Sequence, residues 1–468
     1  MCNVSLNGTQ PTDASIRVLR ALEAVGLEAW YVGGWVRDAL MGRPSHDVDM
    51  CCSGLWQESK EALEAADIAV VESGIKFGGI TAICDDERIE VTTYRLDGFY
   101  TDGRHPQSVE RAASLEDDLA RRDFTVNAMA WHPERGLVDR YDGQGDLDRK
   151  LIRAVGDPKR RFNEDALRML RAVRFACRLD FMIEPKTKQA LAECAPLLDA
   201  VARERVGIEL EGILSTGHGG DAMLRYPELV CAAVPELASA RGFDQRSVYH
   251  AFNVYEHIAR VLTVAGELAL CDGVAPSSSL MWAAFLHDVS KPECFTVDHD
   301  GSGHFYGHPE LGAKKARVIM DRLALSHDLV RDVCLLIKYH DKPLRPERSC
   351  LLNMMRTLSG EGVDTPRLMD ELMDLKRADT LGKAPSCFYY VETIEEMRTL
   401  AHDLLQAGEP YTLKMLAING GDLIRAGVKP GPELGQLLNA ALDAVIEDNI
   451  PNNREALLAH LNLNYLTS

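Results

Sequence analysis

Alternating apolar and polar positions predict short strands separated by amphipathic helices over the first 150 residues. Apolar residues that recur at a spacing of three or four predict helices over 13–29, 35–41 and 56–66. Apolar runs bounded by turn residues predict strands at 47–51, 68–71, 80–83 and 88–95. This order of elements is typical of a small α+β domain, and beyond residue 150 the pattern is mainly helical.

Two of the predicted strands carry acidic residues on one face. Residues two apart on a strand point the same way, so Asp47 and Asp49 aim together while Val48 and Met50 enter a core. Glu90 lies on the polar face of strand 88–95, where it either joins the aspartates or is an ordinary exposed residue. Two carboxylates on one face repel unless a cation lies between them, and oxygen ligands suit Mg²⁺.

A glycine pair precedes the acidic strand. Apolar residues lead into Gly33-Gly34, and the helix that follows ends near Gly42 and Pro44. Without side chains at the glycines, backbone N–H groups can approach a phosphate closely, and a helix N-terminus adds partial positive charge. A lone glycine pair is usually a turn and a lone Asp-x-Asp is usually surface. Together, in this order, they favour phosphoryl or nucleotidyl transfer.

Composition limits the classes of function. The chain has 468 residues, room for two to four domains, and a net charge of −19, which argues against a protein that coats nucleic acid indiscriminately but allows a local basic groove. The 12 cysteines are scattered without a Cys-x-x-Cys motif, as expected of reduced cytosolic thiols. A polar start and no run of eighteen apolar residues predict a cytoplasmic protein without a membrane span. The composition is compatible with either a monomer or a homo-oligomer.

The stretch after residue 120 combines cations with hydrogen-bonding groups. Arg122, Asp123 and Asn127 could bind a triphosphate and a ribose, although a capped helix start with solvated arginines fits the same residues.

Arginine is dense between residues 139 and 178. A strong helix is predicted over 163–175, with Glu164, Asp165 and Arg168 on one face. These residues form either an ordinary ion pair or a rigid donor and acceptor array for the edge of a base. Along the same helix, basic side chains at Arg171, Arg174 and Arg178 could track an RNA backbone.

A second constellation lies between residues 245 and 345. His257, His287-Asp288, His308 and His340-Asp341 follow one another along predicted helices, and His287-Asp288 ends a buried apolar run. Imidazole and carboxylate groups from several helices suit a transition-metal site, whereas the alternative is a core of hydrogen-bonded histidines.

Together these stretches resemble the class II tRNA nucleotidyltransferase and bacterial poly(A) polymerase family over about residues 15 to 215. The motifs that carry the resemblance are Gly33-Gly34-x-Val36-Arg37-Asp38, Asp47-x-Asp49, Arg122-Asp123-Phe124-Thr125-x-Asn127-Ala128, Gly156-Asp157-Pro158 with Arg161-Phe162, Glu164-Asp165-x-x-Arg168, and Glu204-Arg205-Val206 with Glu209-Leu210. The resemblance implies a polymerase-β-like head (1–150) with a small, mostly antiparallel sheet. All-helical neck (151–245), HD (246–350) and tail (351–468) regions would follow.

The resemblance also implies residue roles. Asp47 and Asp49 would hold catalytic Mg²⁺ ions, and Asp165 with Arg168 would act as a protein template for CTP or ATP on a tRNA substrate. The implied nucleotide-binding residues are Gly33, Gly34, Arg37, Arg122, Asp123 and Asn127.

The histidine constellation resembles an HD-type phosphohydrolase domain. By this resemblance His257, His287, Asp288 and Asp341 are ligands of a first metal, with His308 and His340 available for a second. The metal would be Ni, Mn, Fe or Zn, and a phosphohydrolase that trims cyclic or 3′ phosphates from RNA ends would fit the same chain.

Within the family, two features favour an enzyme that adds the full CCA. Residues 97–106 resemble the flexible loop of such enzymes, and the arginine-rich signature of bacterial poly(A) polymerases is replaced by residues 74–79, Gly-Ile-Lys-Phe-Gly-Gly. The rival hypotheses are a poly(A) polymerase and a protein whose main activity is the HD phosphohydrolase. A non-catalytic RNA-binding protein is disfavoured because every head motif is intact.

Overall fold

The computed structural model describes residues 6, 9–45, 47–73, 75, 78–97, 109–271 and 273–462. Most of the predicted flexible loop (98–106) and part of the 74–79 segment lie outside the described residues. The chain divides into two compact units, the first made of 1–213 with 226–233 and the second of 214–225 with 234–468. The finer boundaries at 150, 245 and 350 stay predictions.

The strands of the described residues belong to the first unit, apart from one short pair in the second. They are β1 Ala29–Val32, β2 Val48–Cys52, β3 Ala69–Val71, β4 Gly79–Cys84, β5 Glu87–Thr93, β6 Arg95–Asp97, β7 Val109–Arg111, β8 Met129–His132, β9 Gly136–Asp139, β10 Leu151–Ile152, β11 Met182–Ile183, β12 Thr296–Val297 and β13 Gly303–His304.

Helices account for most of the remaining regular structure that the coordinates describe. They are α1 Asp13–Ala24, α2 Gly34–Leu40, α3 Trp56–Ala65, α4 Leu115–Ala120, α5 Gly143–Asp148, α6 Pro158–Glu164, α7 Leu167–Leu179, α8 Pro185–Cys194, α9 Arg203–Leu214, α10 Gly219–Arg225, α11 Pro227–Ala233, α12 Val254–Cys271, α13 Ser278–Leu286, α14 His308–Arg322, α15 His327–Tyr339, α16 Arg348–Ser359, α17 Thr365–Gly382, α18 Tyr390–Gln406, α19 Gly420–Arg425, α20 Pro432–Ile446 and α21 Arg454–His460.

The first unit is built on a seven-stranded sheet in the order β3-β4-β5-β2-β1-β8-β9. Only β2 and β5 pair in parallel among these described strands, so the predicted mostly antiparallel sheet is confirmed. Asp49 and Glu90 are direct partners in the β2–β5 register. Val48 and Met50 are buried as predicted, which leaves Asp49, the acidic residue of β2, toward the opposite face.

Two predicted helices have different bounds in the structure. The helix predicted over 13–29 ends at Ala24, because Gly26 adopts a φ of +85° and the amides of Gly26 and Leu27 turn back to Glu23 and Leu22. The helix predicted over 163–175 is two helices, α6 and α7. Asp165 between them is extended at φ −144°, and its carboxylate accepts a hydrogen bond from the Leu167 amide at 3.0 Å.

The second unit is helical around α13. Residues 279–286 of this helix are buried on every side, as expected of a helix at the centre of a helical core. It packs against α12, α15 and α17, and burying a side chain such as Phe285 contributes about 1.5–3 kcal/mol. The helix ends at Leu286, and His287-Asp288, which follow it, are also fully buried.

No helix of the described residues has both the length and the apolar character that a bilayer span requires. The described cysteines, from Cys51 to Cys387, form no disulfide.

Candidate functional site

The turn between β1 and α2 places a cation and a carboxylate beside Gly33. This residue has a φ of +67°, and a Cβ built on it would lie 3.0 Å from Arg122 Nη1 and 3.6 Å from Asp49 Oδ2. A larger residue here would be strained and would crowd the guanidinium. Gly33 is therefore the point at which backbone, carboxylate and arginine meet, while the predicted phosphate contacts of Gly33 and Gly34 stay predictions.

Asp49 lies in a local excess of negative charge. Burial raises its pKa to about 6, and the charges of Glu90 and Asp47 act in the same direction, with Arg122 offsetting only part of the effect. Asp47 is exposed just before β2, and Asp49 is half-buried within it. Three carboxylates that the guanidinium groups of Arg122 and Arg37 only partly offset fit a divalent cation, which would relieve the repulsion.

A buried aspartate that the sequence analysis missed holds Arg122. Asp118, on α4, is fully buried and pairs with Arg122 Nη2 at 3.1 Å and with Arg121 Nη2 at 2.6 Å. Burial alone would raise the pKa of Asp118, but the two arginines hold it below its ordinary value. The spacing of three and four residues between acid and bases was the available signal.

Arg37 and Asn127 belong to a buried chain of hydrogen bonds. Arg37 is bound by Asp38 at 2.8 Å and donates to Asn127 Oδ1 at 2.8 Å, and Asn127 donates in turn to Asp123 Oδ1 at 3.4 Å. Asp123 also pairs with Arg171 at 2.9 Å. Although burial would raise the pKa of Asp123, Arg171 and Arg168 keep it lowered. The structure thus connects four of the predicted residues through direct contacts: Arg37, Asn127, Asp123 and Arg171.

Asp165 and Arg168 lie beside each other without the shared helical face that the sequence predicted. Arg168 is buried, pairs with Glu164 Oε2 at 3.0 Å and donates to the Arg121 carbonyl at 3.1 Å. Asp165 instead pairs with Arg205 of α9 at 3.1 Å. Because the helix breaks at Asp165, the two side chains have partners from different elements. Glu164 of α6 holds Arg168, and Arg205 of α9 holds Asp165.

The predicted basic track along α7 is partly internal. Arg174 pairs with the buried Glu209 at 2.7 Å, and Arg171 lies 3.9 Å from the same carboxylate in addition to its contact with Asp123. Arg178 is exposed. Contact of these three arginines with RNA stays a prediction, and Glu209 is a positioning residue for two of them.

In the second unit, His257 of α12 lies next to His287 and Asp288, the two residues that follow α13. His257 Nε2 lies 3.4 Å from His287 Nε2, and both lie close to Asp288 Oδ2, at 3.3 and 3.2 Å. The opposite oxygen of the same carboxylate faces a second pair, at 3.4 Å from His308 Nε2 and 3.8 Å from His340 Nε2. Asp288 therefore stands between two sets of potential ligand atoms, whereas the sequence analysis placed it in the first set only.

Backbone carbonyls fix the orientation of all four rings. The Nδ1 atoms of His257, His287, His308 and His340 lie 2.6–3.1 Å from the carbonyls of Gly382, Ala284, Phe305 and Ile337. A carbonyl can only accept, so each Nδ1 donates and each ring presents its Nε2 atom to Asp288. Nε2 atoms that converge on one carboxylate fit metal ions, and imidazole with carboxylate suits the transition metals that the sequence predicted.

Both oxygens of Asp288 are buried without a hydrogen bond, although Lys291 Nζ lies 2.7 Å from Oδ2. Burial would raise the pKa of Asp288, but His287 and Lys291 hold it well below its ordinary value. A carboxylate kept ionised among acceptors is suited to bind cations.

The structure places Asp379, not Asp341, against the first histidine pair. Asp379 Oδ1 of α17 lies 3.1 Å from His257 Nε2 and 3.9 Å from His287 Nε2, whereas Asp341 is exposed. Gly382 permits this approach, since a Cβ on it would lie 2.6 Å from Val261 of α12. Sequence reasoning chose the aspartate next to a histidine, and nothing in the local pattern marked Asp379.

Sequence profiles of four families match this chain. They are "Poly A polymerase head domain" at residues 29–153, "Probable RNA and SrmB-binding site of polymerase A" at 180–240, "HD domain" at 254–383 and "tRNA nucleotidyltransferase domain 2" at 381–461. The last match covers most of the tail, where sequence reasoning found no motif.

Relatives match along nearly the whole chain. A CCA-adding enzyme of Streptococcus thermophilus is 32% identical over 452 residues, which is 95% of each protein. The Bacillus stearothermophilus CCA-adding enzyme in complex with CTP is 26% identical, with a TM-score of 0.72 over 97% of this chain and 98% of that one. The Thermotoga maritima CCA-adding enzyme complexed with tRNA-CCA shares the fold, at 21% identity and a TM-score of 0.62 over 99% of this chain and 98% of that one.

The raised pKa of Asp49 predicts a stability gain on neutralising it. Its value of about 6 exceeds the ordinary 3.8, so the ionised group destabilises the metal-free fold above pH 6, and the penalty shrinks as pH falls. Asp49→Asn should stabilise the chelator-treated protein by about 1–3 kcal/mol at pH 7.5, with roughly half the gain left at pH 5. Tryptophan fluorescence during urea unfolding reports this, since Trp30, Trp35, Trp56 and Trp131 lie in the first unit.

Asp47→Asn serves as the matched control for that measurement. It should give a smaller gain, because Asp47 contributes less to the shift than burial and Glu90 do. Destabilisation by Asp49→Asn at pH 7.5 would contradict the charge assignment.

The placement of Asp379 predicts which carboxylate supports metal binding in the second unit. With excess Mg²⁺ occupying hard-ligand sites, titration with Ni²⁺ or Mn²⁺ should give two bound equivalents. Asp379→Asn should weaken one of them at least about 10-fold, and Asp341→Asn should leave both unchanged. Calorimetry and elemental analysis measure the binding. If Asp341→Asn weakened metal binding and Asp379→Asn did not, Asp341 would be the ligand, as the sequence analysis expected.

Proposed function

Since this chain belongs to the family of CCA-adding enzymes, we propose that it completes the 3′ end of tRNA by adding C, C and A from CTP and ATP. The observation that carries the proposal is Asp49, which lies beside Gly33 and Arg122 and whose pKa is raised by burial and by the nearby charges of Glu90 and Asp47, within the Poly A polymerase head. Carboxylates that repel one another favour a bound cation, and the absence of a side chain at Gly33 leaves room beside Arg122. A triphosphate with its bound cation would suit both features.

In the proposed reaction the tRNA 3′-OH attacks the α-phosphate of the nucleotide. A new bond forms between the 3′ oxygen and the α-phosphorus, and the bond between the α-phosphorus and the oxygen that bridges to the β-phosphate breaks. Pyrophosphate leaves, and the hydroxyl proton passes to solvent. Mg²⁺ held by Asp47 and Asp49 would supply charge neutralisation for the nucleophile and the triphosphate. Arg122, fixed by Asp118, directs positive charge toward the same place.

Nucleotide choice is proposed to rest on Asp165 and Arg168. Arg205 and Glu164 hold these side chains from two sides, at 3.1 and 3.0 Å, which gives the rigidity that base recognition requires. Arg37, Asp123 and Asn127 are linked by hydrogen bonds and are proposed to seat the ribose and phosphates. Arg171, Arg174 and Arg178 are proposed to lead tRNA toward this region, and the cytoplasm, where tRNA matures, is the proposed location.

The template proposal predicts a loss of nucleotide discrimination. Arg168→Lys keeps the charge but removes the planar fork, so the preference for CTP and ATP over UTP and GTP should fall on the order of 10- to 100-fold. The measurement uses a tRNA transcript that ends before CCA, with each nucleotide supplied alone. Unchanged preference would contradict the template role.

The same transcript with all four nucleotides separates the two polymerase hypotheses. Three defined additions indicate CCA synthesis, whereas an open ladder of adenosines would indicate poly(A) synthesis. Asp47→Ala is the control, because loss of a metal carboxylate should abolish every incorporation.

A second candidate activity is a metal-dependent phosphohydrolase acting on RNA ends. The two ligand sets that share Asp288 favour it, since paired metal sites suit phosphoester cleavage. Metal ions bound there would activate water and polarise the phosphate. The attack of water would break one P–O bond to ribose, and the leaving oxygen would take up the proton.

This candidate predicts two separable activities. Asp288→Asn should remove release of cyclic or 3′ phosphate from an RNA end in the presence of Ni²⁺ or Mn²⁺ while leaving CCA addition intact. Asp47→Ala should show the opposite result. Hydrolysis that survives Asp288→Asn would exclude the histidine centre as its source.

A further inference from the structure

A cavity of about 270 Å³ opens onto the histidine centre of the second unit. His308, His340 and Asp379 contribute the part of its wall that belongs to the proposed metal site. A substrate in this cavity would therefore reach the metal ligands directly, and the remaining wall decides what kind of substrate fits.

Two lysines and two aspartates, Asp341 and Asp379, line the cavity. Lys291 contacts Asp288 at 2.7 Å and Gln245 Oε1 at 3.1 Å, and Lys383 contacts Asp379 Oδ2 at 2.6 Å. Two cations beside a metal site suit the oxygens of a phosphate group.

The rim of the cavity carries an exposed aromatic ring. Tyr306 is 77% exposed, and its ring stacks on that of His304 with centroids 5.3 Å apart and an interplanar angle of 4°. The His304 ring is itself held by Asp298 at 2.6 Å. The β12–β13 pair that carries His304 is anchored by the amide of Gly303, which donates to the Arg246 carbonyl at 2.8 Å.

A supported, upright ring beside a phosphate-binding cavity has the features of a stacking platform for a nucleobase. An isolated exposed tyrosine would carry no such meaning, and Tyr389, 78% exposed, is one that does not line the cavity. The difference lies in the combination of a fixed ring, two cations and metal ligands around one space.

We infer that Tyr306, backed by His304, stacks on the base of the substrate, so that the histidine centre selects phosphoesters carried by a nucleotide. The inference rests on the proposed phosphohydrolase and deepens it. The nucleotide is either free or the last residue of an RNA. Tyr306 is thus a specificity-determining residue, and a sugar phosphate without a base should be a poor ligand.

The test compares substrates with and without a base on the full chain loaded with Ni²⁺ or Mn²⁺. For adenosine 2′,3′-cyclic monophosphate, Tyr306→Ala should raise KM about 10- to 100-fold with little change in kcat, and Tyr306→Phe should resemble the wild type. For the base-free ribose cyclic phosphate, all three proteins should behave alike. Tyr389→Ala is the matched control and should change nothing.

A short RNA ending in a cyclic phosphate forms the second arm. If the KM effect of Tyr306→Ala is larger for RNA, the terminal nucleotide of RNA is the natural ligand; if it is equal, a free nucleotide suffices. Equal KM values for wild type and Tyr306→Ala on every base-containing substrate would overturn the inference while leaving the hydrolase in place.

Absence of any hydrolysis would instead overturn the proposed hydrolase. Binding still tests the platform in that case, by calorimetric titration of the metal-loaded chain with adenosine 3′-monophosphate. The difference between wild type and Tyr306→Ala isolates this site from nucleotide binding in the head. A weaker heat signal only for Tyr306→Ala supports stacking, and identical isotherms contradict it.

Discussion

Repulsion among the carboxylates at Gly33 is the constraint on which the first unit depends. β2 and β5 pair in parallel and bring Asp49 beside Glu90, and Asp47 adds a third charge. Arg122 and Arg37 offset only part of this repulsion, so the pKa of Asp49 stays raised. A divalent cation bound at the end of the glycine turn would relieve the rest.

Around this cluster the arginines are immobilised by buried acids. Asp118 holds Arg122, Asp123 holds Arg171, and Glu209 holds Arg174. A charged group removed from water needs such a partner, and the partner also fixes its direction. The same contacts that keep these cations in the interior therefore define the surface that a nucleotide and a tRNA end would meet.

In the second unit the buried charge is the carboxylate of Asp288, and histidine rings surround it. Here four rings, each oriented by a carbonyl, turn their Nε2 atoms toward one buried, ionised carboxylate. Lys291 lies 2.7 Å from the same carboxylate. Metal ions bound among these groups would join the folding of α12, α13 and α17 to metal binding.

The sequence by itself determined the kinds of groups, their order and the local elements that carry them. Strand periodicity placed Asp47 and Asp49 correctly relative to the core, and the histidine pattern identified four rings that do meet. Local patterns could not show that the chain breaks at Asp165, because the hydrogen bond of its own carboxylate to Leu167 competes with a continuous helix. They also could not find Asp118 as the support of Arg122 or choose Asp379 over Asp341. Tertiary structure decided these points, since the partners of a buried charge come from whichever segments pack against it: Asp379 lies 122 residues from His257, and Arg171 lies 48 residues from Asp123.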